Sequence, residues 1–574
     1  MNRFHATLLL LAAALLTFSS CSKKPDAPIP SGAAFVLHIN GKSISDKLPW
    51  SEVKKSTWFQ LASENADADS LQTALMNDPG QSGINVESDG WFFLTARGKG
   101  AYSALSWKMS DAKKFETVIK TASPEATIQR KESIGYLIEE GTLLAWNDER
   151  ILLLNDASSM VRDLNGSANN DGEVEEGGDT ELFEEYFQLT TDSLLLISKE
   201  LFSLKSGDKL SSDEKFADLI SSKGDVHFWF NVGQLYGNSL AGSLLSLSKL
   251  STLMEGNIGT ATINFNDGAI EIDSKGYAGK ELEALYKKYE ASNFNEASLK
   301  NLPAGEVNMA LAMNYPPEGL KAFLTLLGVD GLVNTYLQEA GFSIDEFIKA
   351  NSGDIFFALS DFQIKKVQKS YEGFDGEPMT YESSEPDGKL LFGAAVNEKV
   401  AFQKMIDALK KALTEKAGMG EESLSKIPYQ LKDKWFISGN DNNQLQQYGA
   451  KQTDHAFIDR IKGHPIGLFV NITSFIKGAM TDMGDNQFGK EVAQLSLQFW
   501  KDIVLTGGEF KGGASVSHIT LRLGDEKTNS LKALNQYVGD IAKFAKEDEK
   551  RRESEWGLDV IAPGDSTAIP ESDY

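Results

Sequence analysis

One order of features occurs twice in this chain, and that repetition constrains the fold more than any single motif does. PSGAAFVLHIN begins at Pro30 and PAGEVNMALAMN begins at Pro303. Each reads Pro-x-Gly, then a strand pattern, then Asn40 or Asn314. In the second copy Val307, Met309, Leu311 and Met313 alternate with Asn308, Ala310 and Ala312, the period-2 signature of a half-buried strand. Gly83 to Leu94 then parallels Gly341 to Leu359, and Ala101 to Phe115 parallels Leu390 to Phe402. Each of these stretches supplies strands, and the latter leads into an amphipathic helix. Hairpin patterning follows in both copies, from Gly135 to Asn155 and from Tyr429 to Asn440.

A second kind of module follows each of these. Ser212 to Ile220 matches Thr453 to Ile461, short helices with Ser212 or Asp213 and Thr453 or Asp454 as N-caps. Strands are expected at Val226 to Asn231 and Ile466 to Asn471. Meander patterning runs from Ile258 to Tyr277 and from Ile503 to Leu523, punctuated by Asn266-Asp267-Gly268, Gly507-Gly508 and Gly512-Gly513. Closing helices begin at Glu281 and Ser530. The expected fold is therefore α+β, a tandem duplication A–B–A′–B′ of mixed modules with mostly antiparallel sheets. Module A spans 32–190, B 191–300, A′ 301–450 and B′ 451–545. A chain of 574 residues is too long for one core, and 41% apolar residues suffice to build several. Asn165 to Glu185 is acidic and Gly/Asn-rich, and reads as a solvated loop. Gln363 to Lys389 reads as a second loop whose tyrosines permit a hairpin, and 546–574 as a disordered tail.

The N-terminus sets the destination. Arg3 precedes an apolar run from Ala6 to Phe18, and Ser19-Ser20-Cys21 follows. This is the form of a signal peptide, residues 1–20, too short and too asymmetrically flanked to be an ordinary spanning helix. Cys21 is the sole cysteine, so intramolecular disulfides and Cys-rich zinc modules are excluded. Leu16 to Cys21 resembles a bacterial lipobox with Phe18 where Leu is usual, which implies diacylglycerol on the Cys21 sulfur and a further acyl chain, such as palmitate, on its amino group. Several acyl chains anchor stably where one does not. Residues 21–31 form a Pro-rich tether. Ser22 is not Asp, and Lys23 and Lys24 are basic, so the expected location is the outer membrane facing the periplasm.

Signatures of catalysis are missing from the sequence. The histidines beyond the signal, His38, His227, His455, His464 and His518, form no HExxH or HxH cluster. His38, His227 and His518 fall in strand patterns, where packing or solvation is the ordinary role. There is no GxSxG, P-loop or GxGxxG. Ser110 to Lys113 and Ser212 to Lys215 have SxxK spacing but lack partner motifs. Asp148-Glu149 and Asp345-Glu346 are carboxylate pairs of the kind common on exposed surfaces and helix first turns. The acidic stretch Asn170 to Glu176 lacks the spacing of a calcium loop. Consecutive aromatics at Trp91 to Phe93, Phe228 to Phe230 and Phe356-Phe357 put aromatic side chains on both faces of their sheets, which helices or a partner must cover. No catalytic, cofactor-binding or metal-ligating residue is assigned. Lys+Arg of 57 against Asp+Glu of 82 gives a net charge of −25, which disfavours nucleic acid as a partner.

FSSCSKK, PSGAAFVLHIN, SGINVESDGWFF and the two-copy body together resemble the Bacteroidota lipoproteins grouped as domain-of-unknown-function family 4836. That resemblance implies lipidation at Cys21 and brings no activity with it. The functional expectation is a lipid-anchored envelope protein that binds or scaffolds an envelope partner without catalysis. The alternatives are a carboxylate-dependent enzyme on cell-wall or glycan substrates, or a lipid or peptide carrier.

Overall fold

The computed structural model describes residues 28–64, 73, 79–98, 100–139, 141–160, 188–236, 253–372, 378–416, 428–484 and 486–555. The signal segment, Cys21, the acidic stretch 165–185 and most of the Leu-rich run 239–254 lie outside them. The chain is mixed α and β, and its strands form one connected sheet.

The first half contributes β1 (Ala33–Ile39), β2 (Ile84–Asn85), β3 (Gly90–Arg97), β4 (Gly100–Met109), β5 (Gln129–Lys131), β6 (Ile134–Glu139), β7 (Thr142–Trp146), β8 (Arg150–Asp156), β9 (Val226–Asn231), β10 (Ile258–Asn266) and β11 (Ala269–Tyr277). The second contributes β12 (Val307–Asn314), β13 (Asn351–Glu372), β14 (Pro378–Val396), β15 (Tyr429–Lys432), β16 (Trp435–Gly439), β17 (Ile466–Val470), β18 (Trp500–Lys511) and β19 (Ala514–Leu523). Every pairing is antiparallel. From the first-half edge the order is β5, β6, β7, β8, β4, β3, β1, β9, β10, β11. It continues through β19, β18, β17, β12, β13, β14, β16 and β15. Strand β2 pairs with the end of β4.

Inner strands repeat their neighbours. In one half β1 lies between β3 and β9, with β10 and β11 beyond. In the other β12 lies between β13 and β17, with β18 and β19 beyond. The halves meet at β11 and β19, whose register runs from Ala269↔Arg522 to Tyr277↔Ala514. Its middle pair is Asp273↔His518, flanked by Ile272↔Ile519 and Ser274↔Ser517.

Helices cover both faces, as the consecutive aromatics require. On one face Leu194 and Leu201 of Thr191–Phe202 and Phe216 and Leu219 of Glu214–Ser221 pack with Val36, Trp91, Phe93 and Trp229. Phe216 meets Trp229 edge-on at 5.5 Å. On the other face Phe115 and Ile119 of Ala112–Ala122 pack with Leu105, Trp107 and Phe92. The second half has its own core, in which Phe356 stacks on Tyr448 at 5.5 Å. The closing helix Ser530–Glu555 returns to the first half: Leu531 joins Leu48, Trp50, Val53 and Phe59, and Trp58 Nε1 donates to Asn535 at 2.9 Å.

Three local expectations are refined. Helix, not disorder, continues from Lys546 to Glu555, supported by ion pairs of Lys546 with Glu64 and Arg551 with Glu491 and Asp548. The stretch Gln363 to Lys389 is a hairpin arm, in which Gln363–Glu372 pairs with Pro378–Asp387. Lys365–Asp387 and Lys366–Glu382 clamp it across the strands. Gly507-Gly508 is not a turn but a bulge inside β18, where Gly508 takes φ 93°; Gly512-Gly513 make the β18–β19 turn.

Candidate functional site

A trough of about 390 Å³ opens on one face of the sheet across the seam between the halves. Its floor is a cross-strand row. Side chains directly opposite each other share a face. Thr262 pairs with Asp273, Asp273 with His518, and His518 with Thr506, so four polar residues from β10, β11, β19 and β18 stand side by side. Along β11 the same face continues through Lys275 and Tyr277.

The first wall is the helix Glu214–Ser221 with the residues that follow it. Asp213 starts the helix by accepting from the backbone N–H groups of Lys215 at 2.8 Å and Phe216 at 3.1 Å. Burial of Phe216 and Leu219 then fixes its rotation, and Lys215, Asp218, Ser222 and Lys223 line the trough. Ser222 Oγ lies 3.2 Å from Thr262 Oγ1, tying wall to floor. Lys215 sits over the Tyr277 ring at 4.9 Å. Partial burial, followed by the nearby Asp218 and Asp213 carboxylates, raises the Tyr277 hydroxyl above its ordinary range.

The opposite wall carries His464 and Glu509. The bulge after Gly507 shifts Glu509 opposite Val516, and its carboxylate meets His464 Nδ1 at 2.7 Å. Desolvation works against the Glu509 charge, but the His464 hydrogen bond, its own backbone N–H and Lys511 hold the carboxyl below its ordinary range. On the floor His518 Nδ1 meets Asp273 Oδ1 at 2.8 Å, and His518 Nε2 meets Thr520 Oγ1 at 3.1 Å.

The same row continues into the first-half core. Thr262 pairs with His227, His227 with His38, and His38 with Trp91. His38 and His227 are 3% and 2% exposed, and their Nδ1 atoms face each other at 2.9 Å, so one proton must lie between them. His227 Nε2 is 3.2 Å from the Ser222 carbonyl, which can only accept. His227 therefore donates there, accepts at Nδ1, and receives the Nδ1 proton of His38. His38 Nε2 faces the Asp89 carboxylate at 3.4 Å, and its ring stacks on Trp91 at 4.1 Å. Burial, and then the neighbouring His38, lower His227 from 6.5 to about 4, against the opposing pull of the Ser222 carbonyl, Asp225 and Asp89. Asp225, 1% exposed, holds this corner by accepting from Ser43 at 2.5 Å, Lys47 at 2.5 Å and the Phe265 amide at 2.6 Å.

The structure thus brings together two of the histidines, His464 and His518, in one trough, with His227 and His38 buried in the row behind it. Their joint placement was not visible in the sequence, because it depends on strands far apart in the chain; His518 and Asp273 are 245 residues apart. Other candidates serve local structure. Ser110 donates to the Gly83 carbonyl and Ser212 to the Ser206 carbonyl. Asp345 and Glu346 are in the first turn of Ile344–Ala350, capped by Ser343 and paired with Lys321 and Lys404. Among the described residues no three His, Cys, Asp or Glu side chains converge as a metal site, and no helix is long and apolar enough to cross a membrane. Cys21 and the Asn170 to Glu176 stretch lie outside the described residues.

Comparisons with known proteins add the following. A family model described as a domain of unknown function (DUF4836) matches residues 27–164. No curated protein matches the chain. Crystal forms I and III of TP0453 are similar to it at 12% and 11% identity, each covering 48% of this chain and 90% of its own, with a TM-score of 0.25. Crystal form IV is similar at 11% identity over 46% of this chain and 87% of its own, with a TM-score of 0.24.

Proposed function

We propose that this chain is a lipid-anchored binding protein of the cell envelope, held through Cys21 at the outer membrane facing the periplasm, and that the trough at the seam receives its ligand or partner. The observation that carries the reading is the seam itself. One polar concavity draws its floor and walls from both halves, with hydroxyl, imidazole, ammonium and carboxylate groups already in place. Most of its lining residues carry polar or charged side chains, which suits a hydrophilic ligand better than the acyl chain of a lipid.

The tandem duplication A–B–A′–B′ belongs to the same proposal. It is supported by the repeated neighbour order around β1 and β12 and by the seam register, which is centred on Asp273 and His518. On this reading those two residues occupy equivalent positions that have diverged into an acid and a base. Kinship with Bacteroidota lipoproteins is also proposed, on the lipobox and the family match over 27–164. An enzyme acting on glycans is the second reading, favoured by Asp273 and Glu509 sharing one trough. In binding, both carboxylates orient histidines; in catalysis, one of them must reach the scissile bond.

Palmitate labelling of cells expressing the wild type and Cys21→Ala tests the anchor. Label in the wild type alone supports it, and label in neither refutes it. Pull-down from solubilised envelope with wild type and Thr506→Trp, which fills the trough floor, tests the site. A component retained by the wild type and lost from the variant supports the trough reading; equal retention refutes it.

A further inference from the structure

On the hairpin arm Lys365, Lys366 and Lys369 sit beside Asp387, Glu382 and Glu385. The trough instead gathers four lysines on one concave surface. Among the described residues, Lys223 on the first wall and Lys275 on the floor have no carboxylate within 4.0 Å and no hydrogen-bond partner, and Lys215 rests on the Tyr277 ring. Lys511 joins them from the opposite side, 3.8 Å from Glu509. Of the three trough carboxylates, Asp273 and Glu509 are taken up by His518 and His464, and Asp218 has no ion-pair or hydrogen-bond partner among the described residues. With neutral imidazoles the trough therefore has four cations against three anions, in a chain whose net charge is −25.

Two further features bear on what such a site can hold. Thr260, Thr262 and Thr506 line the floor, and hydroxyls donate readily to oxyanions. Ammonium groups with no internal partner keep their full charge for a ligand, and a concave low-dielectric wall concentrates their field.

We propose that the trough binds an anionic ligand, a hydrophilic molecule carrying clustered oxyanion groups, with its charge seated between Lys223 and Lys275 and its remaining oxygens on the threonine floor. This rests on the reading of the trough as the ligand-binding face, and it names the chemistry of what that face takes. Lys215 and Lys511 extend the positive field along the trough, so a ligand with two charged groups is held better than one with a single charge.

Titration calorimetry on the full soluble chain tests this with three probes: pyrophosphate, citrate and the uncharged tetrasaccharide of N-acetylglucosamine. Proteins compared are the wild type, the double variant Lys223→Gln/Lys275→Gln, Thr506→Trp, and Lys365→Gln as an arm control. The expected result is saturable binding of pyrophosphate or citrate, at least tenfold weaker in the double variant and unchanged in Lys365→Gln. Pyrophosphate alone would identify phosphate chemistry, and citrate alone carboxylate chemistry. Absence of binding by both anions overturns the proposal, as does binding of equal strength in the double variant. If neither anion binds while the tetrasaccharide binds, is lost in Thr506→Trp and survives in the double variant, the anion proposal fails while the trough reading stands. If an anion binds equally to all four proteins, both fail. Lys223 and Lys275 are exposed, so the double variant keeps its fold, which circular dichroism verifies.

Discussion

Replacing His227 by glutamine removes one titrating group from the core and leaves the rest of the row in place. His227 titrates at 6.5 in an unfolded chain and at about 4 in the folded one. Above 6.5 neither state binds the proton, so the folded protein carries no penalty. As pH falls below 6.5 the unfolded chain takes up a proton that the folded chain refuses, and stability is lost until the folded group titrates near 4. The loss grows by about 1.4 kcal/mol per pH unit and totals about 3 kcal/mol across that window. Glutamine does not titrate. Subtracting the variant's urea-unfolding free energy from that of the wild type at each pH from 7 to 4 cancels the carboxylates common to both. Tryptophan emission is a suitable probe, since Trp91 stacks on His38 beside the substituted position. The difference should fall by about 3 kcal/mol between pH 7 and 4. A flat difference would refute the reasoning, as would a ¹³C-labelled His227 resonance with its midpoint near 6.5.

Other substitutions probe the packing around the site. Asp502 is 5% exposed and accepts from Arg460 at 3.0 Å and from Arg522 Nε at 2.9 Å. Asp502→Ala strands both guanidiniums and should cost about 3 kcal/mol in urea unfolding at pH 7. Burial opposes the Asp502 charge, but the two arginines hold the carboxyl below its ordinary range, so this contribution persists at pH 5 and fades only at more acidic pH. Tyr448→Phe removes the hydroxyl that donates to the Ser298 carbonyl at 3.0 Å and should lower stability by about 1 kcal/mol, read by the same assay. A Cβ on Gly393 would lie 2.0 Å from Phe356 Cε1, so Gly393→Val should cost about 2 kcal/mol and be partly rescued by Phe356→Leu.

The strand segments that the sequence made plain are those that alternate or recur in both copies. Val307 to Met313 appears as a strand where the period-2 pattern put it, Val226 to Asn231 as the strand expected from its match to Ile466 to Asn471, and Asp213 caps its helix as its residue type suggests. Coverage of both sheet faces followed from adjacent aromatics alone. The trough was not legible, because Asp273 and His518 carry no local signal and become neighbours only through the β11–β19 register. Nor was the His38–His227 pair. Each histidine reads as an ordinary strand residue, and it takes the β1–β9 pairing to bring two imidazoles face to face. Gly507-Gly508 misled in a different way. Glycine marks bulges and turns alike, and the residues around it do not say which.

The seam has a mechanical consequence. Nine residue pairs join β11 to β19, and backbone bonds carry the sheet from one half to the other like a beam. Jaws that close on a ligand need a flexible joint, and here bending would mean tearing a ladder, a local unfolding event. What enters the trough meets walls already in their working positions and loses little protein ordering entropy on arrival. Small-angle scattering curves of the free and occupied protein should superimpose, and recognition on such a beam would rely on fit instead of closure.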